Sequence, residues 1–191
     1  MTRTYDMANR AAAANQTAER IAAATEHLLV NGPVSDITLQ AIAEGSAVTV
    51  QTVLRHMGSR DGCLEAVRER VTARVEAQRS HSDPGDVKVA ISGLVAHYEA
   101  EGHLVLNLLA QEGADDAVSR AAVEGGRTYH RAWVERCFGP SLNDPDQQTV
   151  DALVVATDLY VWKLLRLDLG RTVQQTEAVI TRLVRTLLEA S

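Results

Sequence analysis

Between Thr38 and Leu64 the residues that can do chemistry form hydrogen bonds and carry charge: Thr38, Gln40, Thr49, Gln51, Thr52, Arg55, His56 and Arg60. Hydroxyls, cations and helix N-termini are groups that hold phosphate, and a side-chain amide both donates and accepts, as the edge of a base pair requires. No acid lies between Glu44 and Asp61, so this stretch can approach a polyanion without like-charge repulsion.

Nothing in the chain assembles a covalent or metal-assisted reaction. It has no G-x-S-x-G, no G-x-x-x-x-G-K, no G-x-G-x-x-G and no H-E-x-x-H, and its histidines are scattered singly. His97 and His103, six residues apart, do not share one helical face for a metal. Cys63 and Cys137 are too few and too far apart for a disulfide framework or a C-x-x-C zinc site, and read as buried thiols. No catalytic residue, metal or cofactor is expected.

These residues must be positioned by helices. The chain has 191 residues, 46% apolar and only 4% aromatic, and its dominance by alanine, leucine, valine, arginine and glutamate with so few aromatics favours helices over a sandwich or barrel. No run of 18 apolar residues and no cleavable leader pattern is visible, so a cytoplasmic protein without a membrane span is expected. The net charge of −6 is unevenly placed: arginines balance acids through residue 80, and the whole excess falls in 81–191.

Apolar spacing predicts a first helix over about 17–30, carrying Ile21, Ala24 and Leu28 and stopped by Asn31-Gly32-Pro33, with residues 1–16 as a mobile arm or an extension of that helix. Thr38 caps a short helix to Glu44, Gly45-Ser46-Ala47 breaks it, and Thr49 caps a second that ends at Gly58-Ser59. The second helix is too short, and too polar on one face, to be justified by core packing alone. The pair makes a helix-turn-helix.

A longer helix starts at Asp61, and Ser80 to Gly85 is rich in turn formers. Further helices are expected from Val87 to an interruption at Gly102, over 103–111, and from Asp115-Asp116 to Gly139, with Gly125-Gly126 as a kink or a point of close packing. Two more are expected, from Asp144-Pro145 unbroken to Leu169 and from Thr172 through Leu188.

Residues 17–67 resemble the N-terminal domain of the TetR family, through Ile42-Ala43, Val48-Thr49, Thr52-Val53 and the run Gly58 to Asp61. Ala47 stands where the family has a turn glycine, Leu54 where a tyrosine is usual, Met57 where it has phenylalanine and Arg60 where it has lysine. The resemblance implies an all-α fold of about nine helices: an N-terminal three-helix DNA-binding domain over 1–60 and a C-terminal helical ligand-binding and dimerisation domain over 61–191. It implies that Val50, Gln51 and Leu54 face base edges, with Gln40 beside them. Thr38, Thr49, Thr52, His56 and Arg60 then lie near phosphate, and Arg55 serves either role.

The function so implied is a transcriptional regulator that binds double-stranded operator DNA as a homodimer, a repressor released by a small, mainly apolar effector. Polar or aromatic side chains on otherwise apolar helices are the candidates for its pocket: Tyr98, His103, Asn107, Tyr129, Trp133, Asp158 and Trp162. Each has an ordinary alternative as a core or surface residue. The last two helices, paired with those of a second copy, would make a four-helix bundle through Ile180, Leu183, Val184 and Leu187. The alternative reading is a helical protein-interaction or ligand-binding module without DNA binding.

Overall fold

The computed structural model describes residues 2–79, 84–112, 116–142 and 146–190, with the backbone alone over 2–11. Nine α-helices are found among them: α1 Thr2–Asn31, α2 Leu39–Gly45, α3 Val50–Met57, α4 Arg60–Arg79, α5 Val87–Ala110, α6 Ala117–Phe138, α7 Gln147–Ala156, α8 Leu159–Lys163 and α9 Val173–Glu189. The chain forms two compact units, Met1–Val71 with Asn107–Ala122, and Thr72–Leu106 with Val123–Ser191.

In the first unit α1 outruns its apolar pattern. Of the two expectations for the first residues, extension of the helix is the one found: α1 is helical from Thr2, because an alanine run of high helix propensity holds no residue that would stop it. Ile21, Ala22, Thr25 and Leu29 are buried, and they meet Ile37, Ile42, Ala43, Val53, Cys63, Leu64 and Val67 in a small core. Both expected caps form: Thr38 Oγ1 accepts from Ala41 N at 3.1 Å, and Thr49 Oγ1 accepts from Thr52 N at 3.1 Å.

Between α2 and α3 the buried Ser46 hydroxyl donates to the Ile42 carbonyl at 2.6 Å, and Ala47 takes a φ of 53°. The turn therefore needs the left-handed conformation that suits glycine, yet alanine occupies it. A second tight point lies at Gly62, where a Cβ would fall 1.9 Å from the Met57 carbonyl oxygen. Only a glycine lets α4 begin so close behind α3.

In the second unit the expected interruption at Gly102 is absent, and α5 runs through it. A Cβ on Gly102 would lie 2.7 Å from the Trp162 ring, so this glycine permits close packing of an indole on a helix. The opposite holds in α6. Gly125 and Gly126 are exposed, nothing lies within 4 Å of a Cβ on either, and the helix continues past both, so the close packing expected there is not found.

The helix expected to be unbroken to Leu169 is in three pieces. At the end of α7 the Thr157 hydroxyl donates to the Leu153 carbonyl at 2.7 Å, and Asp158 then caps α8 by accepting from Tyr160 N at 2.8 Å. After Lys163 the chain widens into a π turn over Leu164–Asp168. Asp146 caps α7, accepting from Thr149 N at 2.7 Å. The expected start at Asp144-Pro145, the Asp115 signal and residues 80–83 of the turn-rich run lie outside the described residues. Thr172 and Gln175 form a reciprocal capping box at the head of α9. Among the described residues no helix is long and apolar enough to cross a membrane.

Candidate nucleic-acid interface

Helix α3 has eight residues, and Val53 is its one fully buried side chain. Val53 packs inward, so the helical repeat turns Gln51, Leu54 and Arg55 to solvent, with Leu54 40% exposed. The side chains of Gln51, Arg55 and His56 have no hydrogen-bond or ion-pair partner among the described residues, and their donors and acceptors stay available. At the amino end, where helix N–H groups favour an anion, the Thr49 and Thr52 hydroxyls lie 2.9 Å apart. Thr38 is exposed at the start of α2, while Val50 is half-buried and Gln40 donates to Glu44 at 2.7 Å on the outer side of α2.

Arg60, expected near phosphate, has another task. Its Nε donates to the Ile37 carbonyl at 2.7 Å, its Nη2 to the Val34 carbonyl at 2.9 Å, and its Nη1 to Asp116 at 3.0 Å and Asp61 at 3.2 Å. Burial works against ionisation of Asp116, but the bonds from Ser119 and the Arg60 guanidinium outweigh it and hold the carboxyl below its usual range. The fork locks the loop after α1 to the start of α4.

Asn107, expected in a ligand pocket, fastens the same loop. Its Nδ2 donates to the Leu29 carbonyl at 2.6 Å and to the Gly32 carbonyl at 2.8 Å, closing the C-terminus of α1. Gln111 adds a bond from Val34 N at 2.7 Å. Neither Gln111 nor Asp116 is marked by its sequence surroundings as a fastener, since the partners are 77 and 56 residues away.

The remaining pocket candidates scatter. Asp158 is the cap of α8, and His103 is exposed with its ring edge-on to Trp162. Trp162 is buried, with its Nε1 donating to Glu99 at 2.7 Å, and Glu99 also takes a two-pronged bond from Arg166. Tyr98, Tyr129 and Trp133 converge, but around the Arg79 side chain. A surface groove of about 640 Å³ between α5 and α9, beside Lys88, Ser92 and Arg185, takes in none of the seven.

The expected interface divides. Ile180 and Val184 are fully buried within the protomer and cannot face a second copy, while Leu183 is 43% exposed and Leu187 half-buried. The inward stripe of α9 is a core stripe. The outward apolar residues are instead Val155, Tyr160, Leu164, Leu167, Leu169, Val173, Val179 and Leu183, from α7 through α9.

No family model and no curated protein matches the sequence. Among solved structures, SCO4454, a TetR-family transcriptional regulator from Streptomyces coelicolor, matches with a TM-score of 0.68 over 100% of this chain and 96% of that one, at 18% identity. A transcriptional regulator from Rhodococcus sp. Rha1 matches with a TM-score of 0.65 over 91% of this chain and 96% of that one, at 14% identity. Coverage is close to complete on both sides, and the identity is low enough that it carries architecture and not side-chain roles. With its capped helix pair, an α3 that keeps one face open to solvent and its helical remainder, the chain has the fold of a TetR-family transcriptional regulator.

Proposed function

We propose that the chain is a homodimeric, sequence-specific DNA-binding transcriptional regulator, a repressor released from its operator by a small, mainly apolar ligand. The observation that supports this reading is α3, a two-turn helix that buries one side chain and presents Gln51, Leu54 and Arg55 on its open face. Gln51 can read a base edge by donating and accepting, and Leu54 can meet a thymine methyl. Arg55 and the Thr49 and Thr52 hydroxyls suit adjacent phosphates. The net negative charge lies in other parts of the chain and does not oppose this.

Dimerisation is proposed through the outward apolar residues of α7 to α9, which are too many and too contiguous in sequence to be scattered surface positions. Two copies of α3 would then read half-sites about one helical turn, ~34–36 Å, or a multiple of that apart, and the operator would be two-fold symmetric. A ligand releases such a dimer only by favouring the state that fits DNA less well.

A mobility shift of full-length protein on duplexes selected from a random pool, run at rising salt, tests the reading. Selective retention that weakens steeply with salt is expected, because bound phosphates release counterions. A helical adaptor for protein partners would enrich no sequence, and that result would contradict the proposal.

A further inference from the structure

Arg79, the last described residue of α4, is 3% exposed inside the second unit. Three rings surround it: its Cζ lies 5.1 Å from the centroid of Trp133, 5.4 Å from Tyr98 and 5.6 Å from Tyr129. All fall within the ~6 Å over which an aromatic face attracts a cation. The box is held in shape from outside. Tyr98 donates to the Thr157 carbonyl at 2.9 Å, Trp133 stacks on His130 and meets Phe138 edge-on, and His130 Nδ1 lies 3.4 Å from Arg79 Nη1.

Beside the box the imidazoles are neutral. Burial, reinforced by the charge of Arg79, pushes His97 down to about 3 and His130 down to about 4. His97 Nδ1 is buried without a hydrogen-bond partner. With the proton on Nε2, that atom is an acceptor with nothing to accept. Aromatic faces and neutral acceptors make a receptor for a planar cation, and in this structure the chain supplies the cation itself.

We propose that the effector is a planar organic cation, an amidinium or guanidinium on an apolar body, which takes the place of Arg79 between Tyr98, Tyr129 and Trp133. The inference rests on the ligand-released reading above. The ring faces carry negative potential, so they suit a cation and not the carboxylate that would otherwise be the natural guest of a buried arginine. Arg79 is the last described residue of α4, and its withdrawal disturbs the turn of that helix that carries it. That turn has a specific anchor, the bond from Arg136 Nη2 to the Arg79 carbonyl at 3.2 Å. Exchange of one cation for another leaves the net charge inside the box unchanged, and neither histidine has to take up a proton.

Calorimetric titration of full-length protein with phenylguanidinium and, separately, with benzoate tests this on the wild type, Arg79→Ala and Tyr129→Leu. Phenylguanidinium should bind the wild type, about tenfold or more tightly to Arg79→Ala, whose internal competitor is gone, and several-fold more weakly to Tyr129→Leu. Benzoate should give no heat. Loss of cation affinity in Arg79→Ala, or benzoate binding that depends on Arg79, would overturn the proposal. Should Arg79→Ala not fold, the other two proteins decide: absence of wild-type binding, or equal affinity in Tyr129→Leu, overturns it. The titration contains no DNA. Cation binding by a chain that never shifts DNA would refute the regulator and leave this site standing, and operator binding without cation binding would refute this site alone.

Discussion

Ala47 lies in the turn of the helix-turn-helix and Arg60 opens α4 just after it, and each acts by a physical route that its residue type alone does not show. Arg60 bonds two carbonyls and two carboxylates, so Arg60→Ala takes the guanidinium from Asp116, which keeps Ser119 N, and from the carbonyls of Ile37 and Val34, the latter keeping Ile37 N. Urea unfolding should show a loss of about 1–3 kcal/mol, whereas a phosphate contact alone would leave stability unchanged. Ala47 holds a φ of 53°, and left-handed backbone costs an L-residue ~1–2 kcal/mol. Glycine relieves this but frees the unfolded chain, so Ala47→Gly should stabilise by about 0.5–1 kcal/mol in the same assay.

His97 and His130 make stability depend on pH. In the unfolded chain each takes a proton near 6.5, and in the folded chain only near 3 and 4. Between these values the unfolded state binds more protons, so stability is full above about 6.5 and falls as the pH drops. The slope is at most about 1.4 kcal/mol per pH unit for each histidine, and it flattens below the folded values. Urea midpoints at pH 7 and pH 5 check this: the lower pH should be clearly less stable, His130→Asn should lessen the difference, and a flat profile would be inconsistent with two buried neutral imidazoles. The caps Thr38 and Thr49 were legible in the sequence because cap and partner lie three residues apart. The internal bonds of Arg60, Asn107 and Arg79 were not, because each joins residues brought together only by the fold.

At the scale of helices, the same residue type signals opposite things. Gly102 and the pair Gly125-Gly126 look alike in sequence, but a Cβ at 102 meets Trp162 at 2.7 Å and a Cβ at 125 meets nothing. Gly102→Ala should therefore cost about 1–3 kcal/mol through overpacking, while Gly125→Ala should gain up to ~1 kcal/mol from helix propensity. Thermal unfolding of the two variants should move in opposite directions. Element type and the position of α2, α3 and α9 followed from spacing and caps. The break at Thr157-Asp158 did not, since an acid within a long apolar pattern reads as a solvent-facing residue until the backbone N–H of Tyr160 is seen to bond it. On α9 the i, i+3, i+4 pattern identified an apolar face, but the face of Ile180 and Val184 belongs to the protomer's own core.

For the whole molecule, the account requires a second copy on the outward apolar residues of α7 to α9. Leu164 is 50% exposed, so Leu164→Glu should leave the protomer folded and move it from dimer to monomer in sedimentation. A folded dimer would place the interface on another surface. The proposed DNA-reading segment was the part of the account most legible in the sequence, because it is one contiguous stretch with no acid between Glu44 and Asp61. The most direct test is the base preference of full-length wild type against Gln51→Ala, each measured at fixed salt on every single-base variant of the selected operator. The account predicts that Gln51→Ala folds normally and loses ~1–3 kcal/mol of discrimination at one or two base pairs per half-site, with the other positions unchanged. Identical preference profiles for the two proteins would contradict the claim that α3 reads the DNA.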